Sequence, residues 1–166
     1  MCTTFVQTAN MDRPDRHCHS RARCRVCRER PAQKPWESDA MSVESMLVLV
    51  SGPYLSGTDG DEAKIRANLA RMEAMSLPLF EKGHLAAVGE WLAWPVIAAA
   101  GGDSHQSEEF ARYQYPVAHR LLAKCDAVLR IPGASRGADL ECDLAREMGK
   151  PVYLSIDEVP SVPDQP

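Results

Sequence analysis

The stretch from Ala127 to Glu141 constrains the fold more than any other part of the chain. Ala127-Val128-Leu129 is a short apolar run that reads as a buried parallel strand. Ile131-Pro132-Gly133-Ala134-Ser135-Arg136-Gly137 follows at once, and its proline and glycines mark a turn. Ala138–Met148 then reads as a helix. In open α/β sheets a strand-to-helix turn of this kind lies at the carboxyl ends of the strands, where ligands bind. Gly133 and Gly137 permit close backbone approach to a ligand. Ser135 and the amides beyond it can face an anion at the helix N-terminus. Glu141 lies about one turn into the helix, so its carboxylate can reach the same crevice. A serine, glycines and a glutamate around one crevice suit sugar or sugar-phosphate chemistry.

The rest of the chain repeats the alternation. Met46–Val50 reads as a first strand, and Ser51-Gly52-Pro53-Tyr54-Leu55-Ser56-Gly57 as the turn-rich loop after it. Asp61–Lys82 has helical periodicity, with Ile65, Leu69, Met72 and Leu79 on one face. Asp59 or Asp61 can cap it, Pro78 bends it or closes its last regular turn, and Gly83 ends it. His84–Val88 is a second strand, followed by Glu90–Pro95, whose Trp91 and Trp94 could wall a pocket. Gly101–Ser104 is a flexible loop and Glu108–Lys124 a helix with Leu121 and Leu122 facing inward. Pro151–Ile156 is the last strand. Strands alternating with helices predict an α/β protein: a small flavodoxin- or Rossmann-like parallel sheet of four to five strands with helices on both faces. The expected order is 2-1-3-4, with strands one and three meeting at the switch point. That order brings Ser51–Gly57 and Gly133–Glu141 to opposite lips of one crevice.

Residues 1–45 show neither period and are rich in Arg, Pro, Ser and Thr, so they are expected to be a disordered tail. The tail could also reflect an over-long start, since Met41 and Met46 directly precede the first strand. The folded domain is expected over 46–160, with 161–166 frayed. Within the tail, His17-Cys18-His19 and Cys24-Arg25-Val26-Cys27 supply zinc-ligand types without a second well-spaced pair, so no metal or other cofactor is expected. Cys125 and Cys142 fall in apolar helical patterns and read as buried thiols. No apolar run reaches the ~18 residues that span a bilayer, and no signal-like apolar region opens the chain, so a cytoplasmic protein is expected. Residues 13–34 carry eight Lys/Arg against Asp15 and Glu29, while the remainder is acidic. The folded part is therefore not expected to bind nucleic acid.

A first strand ending in Ser51-Gly52-Pro53-Tyr54, Cys125-Asp126-Ala127-Val128 entering the third strand, and Pro132-Gly133-x-x-Ser135-x-Gly137-Ala138-x-x-Glu141 resemble the nucleoside 2-deoxyribosyltransferase-like superfamily. The closest resemblance is to its DUF4406-type branch, over about Met46 to Ile156. The resemblance implies cleavage or transfer at the N-glycosidic bond of a nucleoside or nucleoside 5′-monophosphate. It implies that Glu141 is the nucleophile, forming a covalent glycosyl-enzyme that water or a second base resolves with retention. It implies a 5′-phosphate contact for Ser135; the nucleoside transferases tend to carry an aspartate there, so serine favours a phosphorylated ligand. Two positions differ. Relatives often carry a tyrosine within the first strand, where this chain has Leu49, although Tyr54 can approach from the loop. They also carry an aspartate in the helix before the third strand, where this chain reads Ala118-His119-Arg120 and offers His119 for acid–base work. Subunits of relatives complete each other's pockets, which implies a homodimer or tetramer, with Trp91–Ile97 and Glu108–Lys124 as the expected contacts.

The expected catalytic residues are Glu141 and His119. Ser51, Gly52, Pro53, Tyr54 and Gly57 are expected to bind substrate from the first loop, with Asp103 reaching a ribose hydroxyl. Gly133, Ser135 and Gly137 are expected to bind from the second. Two other readings stay open. Pro-Gly followed by Gly-Ala-x-x-Glu also resembles the motif of cytokinin-activating phosphoribohydrolases, with one extra residue in the spacing. A non-catalytic nucleotide-binding module would need the same turns and no nucleophile.

Overall fold

The computed structural model describes residues 43–163. The expected tail and its Cys/His cluster therefore lie outside the described residues as far as residue 42, as do residues 164–166. Four strands, β1 (Leu47–Ser51), β2 (Leu85–Ala87), β3 (Ala127–Arg130) and β4 (Val152–Tyr153), form an all-parallel sheet in the order β2-β1-β3-β4. This is the expected α/β architecture and the expected order. The central pair is in register with Val48 beside Ala127 and Ser51 beside Arg130.

The central strands are buried on both faces, which is why they read as continuous apolar runs rather than alternating ones. Val48, Val50, Ala127 and Leu129 pack into one cluster with Ile65, Met72, Leu79, Ala93 and Ile97. Leu49 and Val128 point the other way, onto Leu122, Cys125, Cys142 and Ala145. Alternate residues of one strand thus build two cores. Each fully buried Val, Leu or Ile contributes about 1.5–3 kcal/mol relative to exposure. Cys125 and Cys142 are free buried thiols, as expected.

The helices are α1 (Glu62–Glu73), α2 (Ser76–Glu81), α3 (Gly89–Ala99), α4 (Glu108–Lys124) and α5 (Arg136–Glu147). The single helix expected over Asp61–Lys82 is in fact two. Pro78 has no N–H and its ring crowds the carbonyl four residues back, at Ala74. The break falls there, before the proline, which sits in the first turn of α2 where no amide donor is required. Asp61 caps α1, accepting from the amides of Ala63 at 2.8 Å and Lys64 at 3.2 Å. Gly83 turns the chain at φ +88°.

Glu90–Pro95 lies within α3, which starts directly after Val88 with no intervening loop. The last strand is shorter than expected, because the chain leaves the sheet after Tyr153 and forms a 3-10 turn at Ile156–Glu158. The chain beyond it is anchored rather than frayed from 161: the Val162 amide donates to the Lys82 carbonyl at 2.8 Å. Lys82 Nζ donates to the Val159 carbonyl at 2.8 Å. Buried His84 accepts from the Met46 amide through Nδ1 at 3.1 Å and donates through Nε2 to the Pro160 carbonyl at 2.7 Å. Among the described residues no helix is long and apolar enough to cross a membrane.

Candidate functional site

A crevice opens at the carboxyl ends of β1 and β3, the switch point of the sheet. Ser51, Gly52 and Tyr54 line it from one lip, and Ser135, Gly137 and Glu141 from the other. Further lining comes from Gly89 and Glu90 at the start of α3, from Gln114, Tyr115 and Ala118 of α4, and from Met72 of α1.

Close approach of the two lips depends on two glycines. A Cβ on Gly52 would lie 2.4 Å from Ile131 Cγ1. Gly133 sits at φ +129°, and a Cβ there would lie 2.6 Å from Pro53 Cγ. Pro53 is thus a packing surface beneath the second lip and not itself part of the lining. Two guanidinium groups hold that lip: Arg71 Nη2 donates to the Pro132 carbonyl at 2.7 Å, and Arg130 Nη2 to the Gly133 carbonyl at 2.7 Å. Arg130 Nη1 also donates to the Ile131 carbonyl, and Nη2 pairs with Asp139 Oδ1 of α5 at 2.9 Å.

Glu141 is held at the bottom of the crevice, where the buried Ser51 hydroxyl donates to its Oε2. Burial raises the carboxyl above its ordinary range, while the Ser51 hydrogen bond and the charge of Arg130 oppose that rise. Ser135 is the N-cap of α5: its Oγ accepts from the Ala138 amide at 3.2 Å. Capping and lining coincide, since a cap aims the first-turn amides outward into the crevice. Tyr54 is buried, its Oη accepting from Trp94 Nε1 at 2.9 Å and lying 2.8 Å from His105 Nε2. Burial raises its phenol too.

Several expected residues are not brought to the crevice. His119 does not line it. It lies one turn beyond Tyr115 on α4, past the end of the lining at Ala118. His119 Nε2 is buried without a hydrogen-bond partner, with its ring 6.1 Å from that of Tyr115. Asp103 is exposed, outside the lining. Gly57, at φ +72°, serves the turn after β1 and also lies outside the lining. The tryptophans do not wall the crevice directly: Trp94 stands behind Tyr54, and Trp91 donates to Glu73 Oε1 at 2.9 Å.

Sequence reasoning missed Glu90. It sits in the first turn of α3, and its carboxyl is pushed up to about 7, mainly by burial and further by the charge of Glu141. Its own amide and the Gln114 side chain oppose the rise. An acidic residue in a first helical turn reads as a favourable partner of the helix dipole, a signal that says nothing of a second carboxylate 51 positions away. No family model matches this chain, and neither does any curated protein or solved structure.

Proposed function

We propose that this protein cleaves the N-glycosidic bond of a nucleoside or nucleoside 5′-monophosphate, by hydrolysis or by transfer to a second base. The observation that carries the reading is Glu141, sunk in a crevice at the switch point with Ser51 donating to one of its oxygens. That hydrogen bond favours the ionised form and leaves Oε1 as the attacking atom. Oε1 bonds to the anomeric carbon, and the bond to the base nitrogen breaks with its electron pair leaving on the base. Water or an incoming base then attacks the same carbon, frees the carboxylate and restores the original configuration. The resemblance to nucleoside 2-deoxyribosyltransferase-like proteins points the same way, as does the resemblance to phosphoribohydrolases, because both classes break this bond.

The α5 N-terminus, capped by Ser135, suits a 5′-phosphate. Ser135→Ala removes one hydrogen bond to a charged group, worth about 1.5–3 kcal/mol. Titration calorimetry should show a 5′-monophosphate weakened roughly tenfold to a hundredfold, with the matching nucleoside nearly unchanged.

The reading is tested by incubating the protein with pooled nucleosides and nucleotides and detecting free base by mass spectrometry. Wild type should release base. Glu141→Ala should fall to background while still binding ligand, because the carboxylate acts in the transition state. Equal background release by both proteins would leave a non-catalytic nucleotide-binding module as the better reading.

The reading includes a homo-oligomer in a cytoplasmic setting, where Cys125 and Cys142 stay reduced. Leu77, Phe80, Leu85 and Trp91 form an exposed apolar group beside β2, the edge of the sheet. Light scattering should give a mass above that of the monomer, and Phe80→Glu should lower it.

A further inference from the structure

We infer that Glu90 is the general acid of this site, donating a proton to the departing base and taking one from the incoming nucleophile. The inference rests on the N-glycosidase reading and adds the second half of its chemistry. A purine or pyrimidine leaves poorly as an anion, so the breaking bond needs a proton on the base. Two carboxyl groups line the crevice, Glu90 from α3 and Glu141 from α5. Their surroundings differ. Glu141 has a hydroxyl donor in Ser51 and the guanidinium of Arg130 in range, both of which favour its anion. Glu90 has the charge of Glu141 facing it, which favours its neutral form. Paired carboxyls pushed apart in this way divide into one proton carrier and one anion.

The other groups facing Glu90 do not compete for that role. From α4 come Gln114 and Ala118, which carry no acidic proton to give, and Tyr115, whose hydroxyl lies against Gly137 on the other side of the crevice. From the loop after β1 comes Tyr54, whose phenol is raised by burial and is already engaged by Trp94 and His105.

The steps balance. As Glu141 Oε1 bonds to the anomeric carbon and the bond to the base nitrogen breaks, the Glu90 proton passes to the base. Glu90 becomes the anion and Glu141 the neutral ester. In the second step Glu90 takes a proton from water or from the incoming base, the ester bond breaks, and Glu141 recovers its charge. One negative charge passes back and forth, and the half-buried crevice never has to hold two.

A substrate whose base leaves without needing a proton tests this. Purine nucleosides and their N7-methyl derivatives would be compared in a single turnover, reading the first burst of free base. Glu90→Gln keeps the shape and loses the proton. It should slow the ordinary nucleosides by roughly 10²–10⁴-fold and leave the N7-methyl compounds within a few-fold of wild type. Equal slowing of both, or of neither, would overturn the assignment. Glu141→Ala should fail with both. Wild-type release by Glu141→Ala would instead remove the covalent reaction itself, and this inference with it. A measurement on wild type alone does not depend on the variant folding. Its rate on ordinary nucleosides should fall as pH rises through about 7, and that limb should be missing with the N7-methyl substrates. The same limb with both substrates would place the titration elsewhere.

Discussion

At the scale of single residues, a carboxyl kept half-buried beside another has a thermodynamic signature. Folding raises Glu90 from its ordinary 4.5 to about 7, so the folded chain holds that proton more tightly than the unfolded one. The resulting stability is fully present below about pH 4.5 and is lost as pH rises toward 7; above that the carboxylate is a net cost. Glu90→Gln removes the cost. Thermal melts above pH 8 should show the variant more stable than wild type, by on the order of 3 kcal/mol, with the advantage gone near pH 4. A site residue that weakens the fold it belongs to is a common trade between stability and activity. The contrast with Glu141 shows what a sequence can reveal about a site. Ser135, Gly137 and Glu141 sit at fixed spacing on one turn and helix, so local geometry alone directs them to the crevice. Glu90 joins them from another element, and only the packing of α3 against α4 turns it inward.

At the scale of elements, the crevice exists because two loops lie closer than side chains would allow. Gly52 ends the approach from β1, and Ile131 fills the space its missing Cβ leaves. Gly52→Ala places a methyl against a branched side chain fixed at the end of β3, where overpacking costs typically 1–3 kcal/mol. The melting temperature should fall by several degrees, and base release should fall with it, as the lips part and Ser51 loses its alignment with Glu141. Element type was legible wherever one period ran undisturbed, as in α4, which matches its expected bounds at both ends. It was not legible where two signals competed. In the segment from Asp61 to Lys82 the apolar face continues across Pro78, so periodicity hid a break that the proline imposes four residues earlier. Glu90–Pro95 drew attention for its tryptophans, and Pro95 masked the helix that contains it.

At the scale of the whole molecule, the class and strand order were legible because alternating strands and helices admit few right-handed, unknotted arrangements. The anchoring of the chain end was not, because it rests on single polar contacts at Lys82 and His84 that leave no periodic trace. The order β2-β1-β3-β4 also bears on how the chain is made. β1 can pair with β2 soon after both leave the ribosome, but its other neighbour, β3, is still to come. Roughly forty residues must follow β2 before that neighbour is complete, or about 2–8 s of synthesis. For that time Leu49 waits for Leu122, Cys142 and Ala145, the edge of the future sheet centre has no partner, and an uncovered strand edge is a template for joining other chains. The arrangement that places Ser51 beside Glu141 therefore leaves the half-made chain with an open strand edge until β3 arrives, and a slower passage through α3 and α4 would lengthen its exposure.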